Sequence, residues 1–349
     1  MVIGIYADPD KAIREDLDRY EQILDFNGIN HITLDVSKPD FWSELRRLDL
    51  FIFHWGGTVR QHQLAPTILH MVENVMGIPC YPNFVTWWNF DDKIRGYYLL
   101  KQHSFPAIPA WVFWNEAEAR AWLETAVLPV VFKLKSGASS QNVFLVKDRA
   151  YAKKLIRKMF GSGILSGHVP GYLSLRRMDF GPYSTTRRYC GDLLRQWGVM
   201  QPSPYTWLHR DYTLFQQFLP NNSFDTRITI IGRKAFASRR HVRRNDFRAS
   251  GSGNDDWSQD NVDRRCITLA FEISQRIGFQ CMSYDFLYDE HKQPLISEIS
   301  YASPDWTVWS CPGYWDENMG WHEGHLWPQY CILSDVLKIP GLKQPDMAI

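Results

Sequence analysis

Two carboxylates late in the chain, Asp285 and Glu298, each sit inside an apolar run, Met282-Ser283-Tyr284-Asp285-Phe286-Leu287 and Pro294-Leu295-Ile296-Ser297-Glu298-Ile299. The runs flank Asp289-Glu290-His291-Lys292, a turn-forming link, and so predict a hairpin with the acids on adjacent strands. Acids side by side among residues that favour burial repel unless a cation or a proton lies between them. Hard carboxylate oxygens suit Mg²⁺, which is usually held by one or two carboxylates and by substrate phosphates. A salt-bridged pair facing solvent is the other reading of the same residues.

Cationic groups complete the chemistry. Lys133 ends an apolar strand predicted over 129–133, where a lysine must meet an anion or snorkel to water. The loop that follows, Ser136-Gly137-Ala138-Ser139-Ser140, could wrap phosphates with its backbone N–H groups. Lys93 follows Asp91-Asp92 at a helix start. The run Arg239-Arg240-His241-Val242-Arg243-Arg244-Asn245-Asp246-Phe247-Arg248 leads into Ala249-Ser250-Gly251-Ser252-Gly253. Arginine forks match phosphate and carboxylate oxygens, although the run alone reads equally as a solvated loop or an RNA-contacting patch. Lysines, a phosphate loop, arginines and paired acids are together what a site needs to bind ATP·Mg and transfer its γ-phosphoryl group.

Stepping along the chain, the first 85 or so residues alternate strand and helix signals: strand 2–7, a helix with Ile13, Leu17, Tyr20, Ile23 and Leu24 at helical spacing closed by Asn27-Gly28, strands 31–36 and 50–54, and a helix over 66–75. This predicts a small parallel sheet with covering helices. Then come helix 91–102, strand 110–114, helix 116–125, strands 130–134 and 143–146, and helix 150–159. Residues 161–210 are rich in Gly, Pro, Tyr and Arg without a clean period, and suit a lid or a homodimer surface. Strands 214–219, 227–231 and 234–238 precede a helix over 262–277 and the acidic hairpin, and the aromatic tail is expected to be irregular until 333–337.

The 349 residues suffice for two or three lobes, and a net charge of +1 gives no global field toward nucleic acid or anionic lipid. Six scattered cysteines read as reduced, buried thiols of a cytoplasmic protein. The apolar start is too short for a signal peptide, and no apolar run approaches the roughly 20 residues of a membrane span. Fifteen tryptophans, many near Pro, Gly or polar residues, fit cleft walls and lobe interfaces, or plain core filling.

The ordered set of motifs resembles the ATP-grasp superfamily, particularly the branch of ribosomal-protein glutamate ligases and glutathione synthetases, from about Tyr81 to Pro304. The resemblance implies an α/β chain: a Rossmann-like pre-ATP-grasp domain over 1–88, a small lobe over 89–165 and a large lobe with the aromatic tail over 166–349. Tyr81-Pro82-Asn83 and then Asp92-Lys93 look like the domain entry and first nucleotide lysine. Lys133 and the loop containing Ser139 look like the second lysine and the phosphate-covering loop. Gln217, Phe218 and Leu219 resemble the hinge whose backbone meets adenine, and Asp225 in Asp225-Thr226-Arg227 the acid that contacts ribose. Arg248 matches a phosphate contact, Asp285 and Glu298 the metal carboxylates, and Ser303-Pro304 the turn after them. Three features depart from the pattern: Gln217 where an acid is usual, a serine-rich covering loop, and Ser300 where an asparagine is the third metal ligand. A hydroxyl ligates less well than an amide carbonyl, so one magnesium is expected to be held more weakly or through water.

The activity implied is ATP- and Mg²⁺-dependent joining of a carboxylate to an amine through an acyl phosphate. Lys93, Lys133 and Arg248 would offset phosphate charge, and one of Arg239, Arg240, Arg243 or Arg244 would hold the acceptor carboxylate or the tetrahedral oxyanion. The tail over 306–327 is similar to those of ATP-grasp proteins of bacterial surface-polysaccharide modification, which points to a uronic-acid sugar as the carboxylate. His322 and His325 are three apart and do not form a zinc-protease pair. An amino-acid or peptide ligase, a hydroxyl-phosphorylating ATP-grasp kinase and a degenerate nucleotide binder are the alternatives. Small molecules, not nucleic acid, are the expected partners.

Overall fold

The computed structural model describes residues 1–8, 11–54, 58–137, 142–166, 207–244 and 246–346. The N-terminal alternation folds into four parallel strands, β1 (Val2–Tyr6), β2 (Asn30–Leu34), β3 (Leu50–Ile52) and β4 (Cys80–Tyr81), ordered β2-β1-β3-β4. The inner strand β3 is apolar and buried throughout, as a parallel strand covered on both faces must be. Helix Lys11–Phe26 buries Leu17, Tyr20, Ile23 and Leu24, four of the five residues picked out by helical spacing. The helix expected over 66–75 is longer: Val59–Leu69 runs into a π-helical turn, His70–Val75. Pro66 lies inside that helix rather than at its first turn, where proline is usually a start signal.

Strands β5 (Ala110–Phe113), β6 (Val130–Lys133), β7 (Val143–Val146), β8 (Ile164–Leu165), β9 (Leu208–His209) and β10 (Thr213–Gln217) follow. Four of them form an antiparallel sheet, β5-β10-β6-β7, and β8 pairs with β9. Helices Glu116–Thr125 and Arg149–Phe160 start on Asn115 and Asp148, whose side chains accept from backbone N–H groups of the first turn. The expected lid or dimer surface falls, from 167 to 206, outside the described residues.

The remaining strands are β11 (Phe224–Ile231), β12 (Lys234–His241), β13 (Asp255–Asp256), β14 (Cys281–Tyr288), β15 (Pro294–Ser300), β16 (Gly313–Asp316) and β17 (Trp321–Glu323). They make an antiparallel sheet, β15-β14-β11-β12-β16-β17, with β13 added to β12. Helix Arg264–Ile277, capped by Asp263 and ended by Gly278 at φ +88°, buries Ile267, Ala270, Phe271 and Ile273. The tail is more regular than expected. Gly313–Asp316 pairs with β12, and a cap-like helix, Asp305–Trp309, precedes it.

The chain divides into two compact units, one of residues 1–56, 61–107 and 219–349, the other of 57–60 and 108–218. The parallel sheet and the long antiparallel sheet share the first unit and one core, in which Ile3 and Phe51 join Ile228, Ile230 and Phe286. Five cysteines, Cys80, Cys266, Cys281, Cys311 and Cys331, are buried and unpaired.

Candidate active site

Side chains alternate between the faces of a strand. On β11, Ile228 and Ile230 enter the core with Tyr284 and Phe286 of β14, so Asp225, Arg227 and Thr229 project from the other face. The register sets Arg227 opposite Asp285, Asp225 opposite Arg240 of β12, and Asp285 opposite Glu298 of β15. A bulge after Asp285 leaves Ser297 as an extra residue, yet the two acids stay a direct cross-strand pair.

Arg227 donates to Asp285 twice, Nε to Oδ1 at 2.7 Å and Nη2 to Oδ2 at 2.9 Å. Arg240 donates to both oxygens of Asp225, at 2.7 and 2.6 Å, and its Nη2 also lies 2.8 Å from Asp285 Oδ2. Burial pushes the Asp285 carboxyl up, but the guanidinium groups of Arg227 and Arg240 outweigh it and hold Asp285 well below the usual carboxylate range. Asp225 is hydrogen-bonded by Arg240 and feels Arg227 only through its charge. Its burial, with the Asp285 charge beside it, leaves its carboxyl above the ordinary value despite Arg240. Arg240, 6% exposed, is opposed by burial and held charged by Asp285 and Asp225. Its Nη1 has no partner among the described residues, so two N–H donors remain.

Asp92 caps helix Lys93–Gln102 by accepting from the N–H groups of Ile94 and Arg95, both at 3.1 Å. This fixes Lys93 as the first helical residue, with its Nζ buried and 3.2 Å from Glu298 Oε1. Burial acts against the ammonium, but Glu298 and then Asp91 outweigh it and raise Lys93 above its ordinary value. Ser300 lies two residues beyond Glu298 and opposite Ser283; its Oγ donates to the Ala302 carbonyl at 3.4 Å. Ser283 Oγ in turn sits 2.7 Å from Thr229 Oγ1 and 2.6 Å from Ser303 Oγ.

These acids fit a magnesium ion. A carboxylate has about four lone-pair positions. Asp285 uses one on Oδ1 and two on Oδ2, and Glu298 pairs through Oε1, so each keeps acceptor capacity. Among the described residues no group of three or more His, Cys, Asp or Glu is placed to hold a metal. Two acids would be enough for an ion that also takes substrate phosphates.

The arginine run is divided by local structure. Arg240 lies on the polar face of β12, Arg239 stacks 4.4 Å from the Phe224 ring, and Arg244 is exposed. Arg248 donates to both oxygens of Asp246, Nε at 3.0 Å and Nη2 at 2.6 Å to Oδ2. Arg243 donates to the carbonyls of Ser250 and Gly251, both at 2.8 Å. Arg243 and Arg248 thus tie down the loop that follows β12. Burial raises the Asp246 carboxyl, but its hydrogen bond and charge contact with Arg248 prevail and lower it.

In the second unit, Lys133 ends β6 and is 6% exposed. Gly137 has φ +109°, and a Cβ there would lie 2.3 Å from Asn142 Nδ2, so only glycine fits. Asn142 Nδ2 donates to the Ser136 carbonyl at 2.9 Å. Ser139 lies outside the described residues. Gln217 closes β10 and donates its N–H to the Pro109 carbonyl at 2.8 Å; Phe218 is the last residue of this unit and Leu219 the first of the other.

No known family profile matches the sequence, and no curated protein matches it. The structure is nonetheless similar to several solved ones. N5-carboxyaminoimidazole ribonucleotide synthetase from Thermotoga maritima aligns at TM-score 0.57 and 9% identity, over 97% of this chain and 76% of that one. D-cycloserine synthetase aligns at 0.53 and 14%, over 87% and 92%. A RimK domain ATP-grasp protein from Sphaerobacter thermophilus aligns at 0.50 and 15%, over 86% and 90%.

The chain has the ATP-grasp fold.

In this ATP-grasp chain the first unit brings together Asp225, Arg240, Asp285, Glu298 and Lys93 from four strands and one helix start. Arg248 and Arg243 belong to a separate loop cluster of the same unit, and Lys133, Gln217 and Phe218 to the other unit. One contributor escaped the sequence reading as a site residue. Arg227 lies two residues past Asp225, and strand alternation alone puts both on one face. Among the described residues no helix is long and apolar enough to cross a membrane.

Proposed function

We propose that this ATP-grasp chain is a ligase that uses ATP to join a carboxylate to an amine through an acyl phosphate. The observation that carries the reading is the buried polar face on which Asp285 and Glu298 pair across two strands, each backed by its own cations, Arg227 with Arg240 and Lys93.

A carboxylate resists amine attack because oxide is not a leaving group. Its oxygen attacks the γ-phosphorus, the bond to the β-phosphate oxygen breaks, and ADP leaves. The amine nitrogen then adds to the acyl carbon, phosphate departs, and the nitrogen loses a proton. Asp285 and Glu298 are proposed to hold magnesium, which when bound offsets charge on the β and γ oxygens. Lys93, Lys133 and Arg248 are assigned to phosphate oxygens. The two unspent N–H groups on Arg240 suit the acceptor carboxylate or the tetrahedral oxyanion, and Arg243 supports the adjoining loop. Gln217, Phe218 and Leu219 are assigned to adenine and Asp225 to ribose. Ser300 is proposed as a weak third metal position.

The finer reading, a uronic-acid sugar as the carboxylate, draws support from Trp306, which is 47% exposed and edges against Trp257. Trp315 and Trp327 are core residues and offer no sugar surface. The three-lobe division into 1–88, 89–165 and 166–349 is likewise a proposal, supported at its first boundary by a parallel sheet whose four strands all lie within 1–88. The test is ADP release from MgATP across carboxylates crossed with amines, with mass analysis of products. Release that requires both, with a condensed product, supports the ligase; phosphate found on a hydroxyl product establishes a kinase instead.

A further inference from the structure

The whole-chain charge of +1 is the sum of two opposite parts. Residues 57–60 and 108–218, the second unit, hold 16 Lys and Arg against 7 Asp and Glu, a balance of +9; the first unit holds 23 against 31, a balance of −8. The expectation of no pull toward nucleic acid rested on the sum. A protein's field acts locally, over about 10 Å at 0.1 M salt, so the balance of each unit counts separately.

Much of the second unit's charge is gathered on one helix. Lys147, Arg149, Lys153, Lys154, Arg157 and Lys158 stand just before or within helix Arg149–Phe160, with Asp148 as the one acid among them. The apolar face of the helix is fully used, since Ala152, Leu155, Ile156 and Met159 are buried. Lys154, Arg157 and Lys158 share a face at i, i+3 and i+4, and Arg149, Lys153 and Arg157 form the adjoining row at i, i+4 and i+8. The rows run along 12 residues, about 18 Å of helix.

Four of the six cations are unspent. Arg149 donates to the carbonyls of Glu124 and Ala126, at 3.1 and 3.0 Å, and Lys153 Nζ lies 2.9 Å from Glu124 Oε1. Asp148 caps the helix by accepting the Tyr151 N–H at 2.8 Å. Lys147, Lys154, Arg157 and Lys158 have no ion pair among the described residues. The first three are exposed and Lys158 is half-buried. Cations in a last turn favour the helix dipole, which accounts for Arg157 and Lys158 but not for Lys147 ahead of the helix or Lys154 in its middle. Like charges at i, i+4, as at Lys154 and Lys158, weaken a helix, so its own stability does not explain the row.

A polyanion would relieve that repulsion, and the surroundings select among polyanions. A membrane-surface helix sinks an apolar face into lipid, whereas here that face lies in the protein core. A sugar chain is gripped on exposed aromatic rings, and this helix exposes none, Tyr151 and Phe160 being half-buried. A phosphodiester backbone needs only cations in a row, because phosphate contacts alone supply non-specific binding. The run at 239–248 also reads as an RNA-contacting patch, but its Arg240, Arg243 and Arg248 hold acceptors of their own sheet and loop.

We infer that the outer face of helix Arg149–Phe160, with Lys147, is a docking surface for the phosphodiester backbone of a single-stranded nucleic acid, bound without regard to base sequence. It does not depend on the ligase reading.

The experiment is fluorescence anisotropy of a labelled oligouridylate of about 20 nucleotides with the full chain, from about 50 to about 300 mM NaCl. Four free cations predict that log K falls against log salt with a slope of about −3, at about 0.7 per phosphate neutralised. The Lys154→Gln/Arg157→Gln/Lys158→Gln variant should retain a slope of about −1, and Lys147→Gln alone, outside the helix, should lose about 0.7. Lys38→Gln/Arg46→Gln/Arg47→Gln removes as much charge from exposed sites of the first unit and should leave the slope near −3. Polygalacturonate and phosphatidylserine vesicles should compete weakly. No binding by the wild type at 50 mM salt, or slopes that the helix variants leave unchanged or that the control lowers equally, would overturn the inference. Tighter binding of polygalacturonate or of vesicles than of the oligonucleotide would overturn it too, in favour of a uronate polymer or a membrane.

Discussion

Asp285 and Arg227 meet through two parallel hydrogen bonds, of 2.7 and 2.9 Å, and Arg240 reaches the same carboxylate from the next strand while holding Asp225. Two acids and two arginines are therefore balanced inside the sheet's polar face. Removing one charge from such a cluster leaves its neighbours buried and uncompensated, at a cost of about 3–5 kcal/mol. Arg240→Met should lower stability by that amount in urea unfolding at neutral pH. A change below about 1 kcal/mol would mean that solvent already screens Asp225 and Asp285.

Glu298 serves a proposed metal and a buried lysine at once. Glu298→Gln keeps the shape and an acceptor for Lys93 but removes the charge. ADP formation should fall by at least roughly 100-fold, beyond the loss seen when an outer partner of a metal ligand is removed. Near-normal turnover in a folded Glu298→Gln protein would remove Glu298 from the metal site.

Ser300 offers a test in the opposite direction. It stands on the same face as Glu298, and its hydroxyl makes only a 3.4 Å bond to the Ala302 carbonyl. Ser300→Asn would supply an amide carbonyl, a better oxygen ligand. The magnesium concentration for half-maximal ADP release should drop severalfold. An unchanged magnesium dependence would exclude position 300 from the metal.

The hairpin bearing Asp285 and Glu298 was legible because both apolar runs and the turn between them are local signals, and strands 281–288 and 294–300 follow them within a residue. Partner choice was not legible. Arg240 lies in a basic run that by itself reads as a solvated loop or an RNA-contacting patch, but it occupies β12, whose register against β11 aims it at Asp225. Register between distant strands is set by tertiary packing, not by local composition. The same reason hid β16, which has no edge to pair with until β12 exists. Pro66 misled because its ring was read as a helix start, whereas the helix had begun at Val59.

Asp16 carries a pH signature of its own. Burial first, and then the neighbouring Asp305 carboxylate, push its pKa up to about 8. A folded value above the unfolded one gives stability that is full below the unfolded pKa, about 3.9, and is lost as pH rises toward 8. Asp16→Asn removes the charge that burial penalises. Its melting temperature should exceed the wild type's by several degrees at pH 8, and the gap should close as pH falls to about 4. A difference independent of pH would show that Asp16 is already screened.

In the proposed reaction a carboxylate oxygen takes the γ-phosphoryl group before an amine displaces it. Once an accepted pair of substrates is known, the direct measurement is turnover with the carboxylate labelled by ¹⁸O on both oxygens. One ¹⁸O is expected in the released phosphate and one in the amide. Unlabelled phosphate beside normal amide formation would contradict it, because the carboxylate oxygen would never have been bonded to phosphorus.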